Sequence, residues 1–157
     1  MNSIERRSVA PITWLFALGV VIVDLLTKHW ALGALSDGRT IDVVWTLRFN
    51  LHFNTGIAFS QLTGFGVVVG FVAVAVAIGL LIWSTRQPSA FVRLAIGLIV
   101  GGAIGNVLDR LFRGEGWMRG AVVDFIDFQW FPIFNVADMG VSIGASLLVI
   151  GSFVVGK

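Results

Sequence analysis

The chain has 157 residues, 57% of them hydrophobic and 13% charged, with a formal net charge of +2. Long charge-free runs recur along it, which points to an integral membrane protein rather than a soluble domain. Cysteine is absent, excluding disulfides, thiolate metal sites and a cysteine nucleophile. The basic residues form no cluster interleaved with stacking aromatics, so they read as determinants of membrane orientation and not of nucleic-acid binding.

Four stretches, at residues 11–32, 64–84, 91–111 and 136–155, approach or exceed the roughly 20 apolar residues that span a bilayer as helix. The first opens with Pro11, which suits a helix N-terminus because its missing N–H would be unpaired there anyway. It follows Arg6 and Arg7 as a signal peptide would, but the run is too long, and Asp24, Lys28 and His29 occupy the place of a small-residue cleavage site. A retained helix is expected. In it, Asp24 and Lys28 are four residues apart on one face and can neutralise each other, as a structural ion pair or as part of a site.

The segment after it, residues 33–63, contains "WTLRFNLHFN" from Trp45 to Asn54. Here Trp45, Leu47, Phe49, Leu51 and Phe53 alternate with polar residues, the period of a half-buried strand. After the second span, the short loop 85–90 and its flank carry Arg86 and Arg93 without an acid. With Arg6, Arg7 and Lys157, they place that loop and both termini in the cytoplasm, although total Lys and Arg do not differ clearly between the two sides.

In the third span Gly97, Gly101 and Gly105 repeat every four residues beside a second stripe of Gly102, Asn106 and Arg110. The first suits close helix packing. Asn106, Asp109 and Arg110 crowd its outer end, where they either mark the end of the span or form part of a site.

Residues 112–135 offer a second strand at "AVVDFIDF", paired with the first as a small sheet on the outer membrane surface. Phe125, Phe128, Trp130, Phe131 and Phe134 suit the headgroup level. Alternation sets Asp124 and Asp127 on opposite faces, so at most one of them enters any one site, and Asp124 could instead be a solvated edge-strand charge. In the fourth span, "FNVADMGVSIG", Asn135 reads as an N-cap and Asp138 as its capping-box partner at the positive end of the helix dipole. Capping explains Asp138 as well as catalysis does. The outer ends of spans one, three and four all carry carboxylates and the inner ends carry none, which suggests one polar site at the outer interface. The expected fold is therefore mainly α: one membrane domain of four transmembrane helices with a small outer sheet.

These residues resemble the bacterial lipoprotein signal peptidases (signal peptidase II), four-span membrane aspartyl proteases. The likeness runs in order through "DLLTK" (Asp24 to Lys28), "NTGIAFS" (Asn54 to Ser60), "GGAIGNVLDR" (Gly101 to Arg110), "VVDF" (Val122 to Phe125) and "FNVADMGVSIG" (Phe134 to Gly144). It implies a catalytic dyad at Asp124 and Asp138, supported by residues matching Asp24, Lys28, Asn54, Gly56, Asn106, Asp109, Arg110 and Asn135. It also implies, as substrates, diacylglyceryl-modified prolipoproteins cut before the lipidated cysteine. Contact with membrane lipids, inhibition by globomycin, a monomer in the inner membrane and the absence of any cofactor or metal complete that expectation. Leu25, Ile57 and Met139 depart from the family's usual residues without removing a charged or amide group. The connection "LFRGEGWMRG" is longer than usual and suggests headgroup contact through Trp117.

The chemistry is consistent with this apart from the resemblance. Without cysteine, and with only two histidines, paired carboxylates head the catalysts available for peptide hydrolysis, since two held close share a proton. Asn54, Asn106, Arg110 and Asn135 are donors suited to substrate or lipid carbonyls. Two rivals are a proton-coupled transporter, which would place its charges near the midplane, and a serine-lysine protease using Ser60 and Lys28.

Overall fold

The computed structural model describes residues 11–56 and 65–155. Arg6, Arg7, Ile57, Ser60 and Lys157 lie outside them. Four helices are long and apolar enough to cross a membrane: α1 (Pro11–Ala34), α2 (Phe65–Ser84), α3 (Ala90–Phe112) and α4 (Val136–Val155). Their bounds follow the expected spans, with α1 running slightly further. The start of α3 is set by Ser89, whose Oγ accepts from the Val92 N–H at 3.4 Å, directly after a proline that cannot continue a helix.

The bundle is arranged around α3, which packs against all three other helices, whereas α2 packs extensively on α3 alone. Glycine makes this possible. A Cβ on Gly97 would lie 2.6 Å from the Thr13 carbonyl oxygen, and one on Gly101 2.6 Å from that of Ala17, so both sit against α1. Gly102 sits against the Ala137 carbonyl of α4, and Gly105 meets both Asp24 and Ala137. In return, Gly144 of α4 approaches the Ala95 carbonyl of α3. Close backbone approach replaces the hydrophobic drive that lipid cannot supply between helices. The other faces carry exposed apolar side chains, Leu15, Leu18, Ile22 and Leu26 on α1 among them, as a lipid-facing surface requires.

A three-stranded antiparallel sheet, in the order β1 (Ile41–Val44), β2 (Leu47–Asn54), β3 (Val122–Asp127), closes one end of the bundle. Phe49 and Phe125 pack with Trp30, Ala31 and Leu35 to seat it on the end of α1. The pairing of β2 with β3 is the expected one. Two features differ. The strand starts at Leu47, because Trp45 and Thr46 form the turn of a hairpin with β1, and Trp45 is 92% exposed at φ +53° instead of lying on a buried face. The alternation is also interrupted: an irregularity in β2 between Phe49 and His52 re-aims the side chains. Asn50 therefore reaches Asp127 while Asn54 reaches Asp124.

The packing of α3 yields a paired prediction. Gly101→Ala should destabilise the detergent-solubilised protein by about 1–3 kcal/mol through overpacking against α1. Gly79, with open space around it, should tolerate alanine without loss. Thermal unfolding of both variants checks this, and equal effects would contradict the role given to the α1–α3 contact.

Candidate active site

The end of the bundle beneath the sheet holds a buried ionic cluster. Lys28 of α1 is fully buried and lies 2.7 Å from Asp24 Oδ2, 2.8 Å from Asp109 Oδ2 and 3.1 Å from Asn106 Oδ1. An ammonium has three protons, and these are three acceptors. Each carboxylate also ties backbone to the cluster. Asp24 Oδ1 accepts from the Ala137 N–H at 2.9 Å, meeting the first turn of α4, and Asp109 Oδ2 accepts from the Val123 N–H at 3.1 Å, fixing β3 to α3. Arg113 donates to the other oxygen of Asp109.

Because Asn106 Oδ1 accepts from both Lys28 and Asn135 Nδ2 (3.1 Å), its amide nitrogen faces Asp138 and donates to Oδ1 at 2.7 Å. Asp138 Oδ2 accepts from the Asn135 N–H at 3.2 Å while Asn135 Oδ1 accepts from the Asp138 N–H at 2.9 Å, the reciprocal capping box expected at the start of α4. Asn135 Nδ2 also donates to Asp124 Oδ1 at 2.6 Å. Asp124 Oδ2 accepts from Asn54 Nδ2 at 3.2 Å, and Asn54 Oδ1 is held in turn by the Gly56 N–H at 3.1 Å. Asn135 thus touches both carboxylates.

Asp124 and Asp138 line one cavity of about 450 Å³ between α2, α3 and α4, together with Asn54, Gly56, Asn106 and Arg110. Its deeper wall is apolar, built from residues such as Val72, Val76 and Val141. Arg110 is buried, and its Nη1 has no hydrogen-bond partner among the described residues. The structure therefore brings together the expected set: Asp124, Asp138, Asn54, Gly56, Asn106 and Arg110 on the cavity, Asn135 between the carboxylates, and Asp24, Lys28 and Asp109 behind them. No group of three or more His, Asp or Glu with metal-binding spacing occurs among the described residues.

The two sheet aspartates are treated oppositely. Burial, and next the charge of Asp138, push Asp124 from the usual 3.8 up to about 6, against hydrogen bonds from Asn54 and Asn135 and the charge of Lys28. Burial would raise Asp127 too, but Arg48 at 2.7 Å, the Gln129 N–H at 2.6 Å and Asn50 outweigh it and hold that carboxyl below its usual range. Asp127 is thereby committed to a structural pair. The glycines Gly66 and Gly70 of α2, which accommodate Arg110, were not marked by the sequence reading; their four-residue spacing on one helix face is the signal that could have found them.

A family model described as signal peptidase (SPase) II matches residues 16–154. The chain is 41% identical over 132 residues to a lipoprotein signal peptidase of Mycobacterium leprae, covering 83% of this chain and 66% of that one. It is 42% identical over 135 residues to the Mycobacterium tuberculosis relative, covering 85% and 67%, and 44% identical over 131 residues to that of Mycolicibacterium smegmatis, covering 83% and 56%. The chain thus spans between about half and two thirds of the length of these relatives. Two solved bacterial membrane enzymes share the fold. One aligns with a TM-score of 0.74 at 31% identity over 90% of this chain and 87% of that one, the other with 0.75 at 32% over 88% and 90%.

The raised value of Asp124 has a stability consequence whose sign is fixed. A carboxyl whose folded-state value lies above its unfolded one is favourable when protonated, and that advantage is lost as pH rises through about 6. The difference between 3.8 and about 6 corresponds to ~3 kcal/mol at most. Asp124→Asn should therefore match the wild type in thermal stability near about pH 4, exceed it increasingly up to about pH 6 and keep a constant margin above that. Parallel melting curves across that range would contradict the assignment.

Proposed function

The chain belongs to the signal peptidase II family, and from that membership we propose that it is a membrane aspartyl endopeptidase that removes signal peptides from diacylglyceryl-modified prolipoproteins, cutting before the lipidated cysteine. The observation that carries this reading is the convergence of Asp124 and Asp138, from the consecutive elements β3 and α4, on one cavity bordered by lipid-facing helices.

In the proposed cycle the two carboxyls share one proton, because like charges at close quarters cannot both ionise cheaply. The ionised member takes a proton from water as its oxygen attacks the scissile carbonyl carbon. The protonated member gives its proton to the carbonyl oxygen. Collapse of the tetrahedral intermediate breaks the C–N bond: the proton gained from water passes to the leaving nitrogen, and one hydroxyl of the intermediate returns its proton to the carboxyl that had given one up, restoring the singly protonated pair. Asn54, Asn106 and Arg110 hold substrate and lipid carbonyls. Asn135, buried with its amide committed to its neighbours, holds the two carboxyls in place instead, and the cluster of Asp24, Lys28 and Asp109 keeps the frame rigid. The apolar depth of the cavity suits the hydrophobic part of a signal peptide. The site faces the outer side of the inner membrane, both termini are cytoplasmic, and the protein acts as a monomer open to inhibition by globomycin. A serine-lysine mechanism is disfavoured by the saturation of Lys28 with acceptors. A transporter is disfavoured by the gathering of carboxylates at one end of the bundle.

Purified protein in detergent, assayed on a synthetic lipidated prolipoprotein peptide, should lose about a thousandfold or more in kcat with Asp124→Asn or Asp138→Asn, while Ser60→Ala remains active. Full activity of either aspartate variant would end the aspartyl reading. The pH profile should fall on its alkaline side near about 6, as the pair loses its shared proton. Asn54→Ala removes a hydrogen bond that favours the charged form of Asp124, so it should move that limb to higher pH; a downward move would contradict the role given to Asn54.

A further inference from the structure

Residues 113–121 form the long connection between α3 and β3, and nothing in the proposed cycle uses them. The loop is pinched at its base: the Gly120 N–H donates to the Arg110 carbonyl at 2.9 Å, and a Cβ on Gly114 would lie 2.8 Å from Gly120 Cα. Near its tip Met118 adopts φ +58° yet is only 2% exposed. A left-handed backbone is unfavourable for a bulky side chain and persists where the surroundings over-determine it.

The surroundings here are α2 and Arg110. A Cβ on Gly70 would collide with Met118 Cε and would lie 3.6 Å from its sulfur, and the same point is 3.4 Å from Arg110 Cδ. One turn earlier, a Cβ on Gly66 would lie 2.7 Å from Arg110 Nη1. Gly66 and Gly70 share a helix face. The Arg110 side chain therefore lies along a trough made by two missing side chains, and Met118 covers the trough at its Gly70 end. Beside it, Trp117 meets Phe71 edge-on at 5.4 Å and pins the loop to α2. Since Nη1 has no hydrogen-bond partner among the described residues, packing along the trough is what directs it.

We propose that Met118, seated over the Gly66–Gly70 trough, is a positioning residue that directs the Arg110 guanidinium into the cavity shared with Asp124 and Asp138. Its kinetic consequence rests on the peptidase reading; its structural consequence does not. The test uses the full chain in detergent with two readouts: modification of Arg110 by phenylglyoxal, followed by peptide mass mapping, and cleavage of the lipidated peptide. Met118→Ala should speed modification of Arg110 severalfold and raise KM about tenfold with kcat within about twofold, while Met118→Leu recovers most of both. In an Arg110→Lys background Met118→Ala should add little, because the two side chains act as a unit. Gly70→Ala, which fills the trough from the α2 side, should have the effect of Met118→Ala and serves if that variant does not fold. An unchanged modification rate, or a fall in kcat and melting temperature with KM unmoved, would overturn the proposal. Wild-type protein that fails to cleave would overturn the peptidase reading alone, leaving the modification rates to decide the role of Met118.

Discussion

The arrangement depends on one buried ammonium. Lys28 lies between two carboxylates and an amide in a part of the molecule with no access to water, and its partners connect onward to α4 and β3. Through Asp24 it reaches the first turn of α4, through Asp109 it reaches β3, and through Asn106 it reaches Asp138. Removing one member of such a cluster leaves uncompensated charge in low dielectric, commonly worse by 3–5 kcal/mol than the intact pair. The cluster therefore holds three helices and the sheet at one register, which is the requirement a site assembled from β3 and α4 imposes.

Asparagine carries that register to the carboxylates. An amide neither gains nor loses a proton over the working range, so its orientation can be locked by its neighbours and passed on unchanged. Lys28 and Asn135 both donate to Asn106 Oδ1, leaving its nitrogen to face Asp138; Asn135 in turn donates to Asp124 while its own oxygen caps α4. Capping and site-building are the same act at Asn135 and Asp138. A helix N-terminus that needs an acceptor and a cavity that needs a fixed carboxylate are served by one geometry.

How much of this was legible follows the physics of each part. The spans could be read because bilayer thickness sets both length and composition, and the α1–α3 glycine stripe because it repeats on one helix face. β1 was missed: it has only four residues, mostly exposed, and its turn depends on a left-handed Trp45 that no turn residue announces. The irregularity after Phe49 was equally hidden, and with it the division by which Asn50 serves Asp127 and Asn54 serves Asp124. Sequence alternation showed that only one of the two aspartates could enter a given site. Which one was decided across the sheet by Arg48, Asn50 and the Gln129 N–H, the first two lying 79 and 77 residues away along the chain and so beyond any local pattern. The trough of Gly66 and Gly70 leaves only its four-residue spacing in the sequence, since the need for it comes from Arg110 on another helix.

The charges of the site also bear on its protonation. Behind the cavity, Lys28 and Arg113 balance Asp24 and Asp109, each in direct contact. Arg48 balances Asp127 at the sheet. Among the described residues, what remains on the cavity is Arg110 with Asp124 and Asp138, one cation against two carboxyls. In a poorly solvated pocket an unbalanced charge is expensive, so the cheapest state is the neutral one, with a single proton on the aspartate pair. That is the state in which one member can act as base and the other as acid. Arg110 thus has a second bearing on the chemistry besides its proposed contact with substrate: its guanidinium, whose Nη1 has no hydrogen-bond partner among the described residues, offsets the one negative charge that the pair must keep, while leaving it one proton short of full protonation.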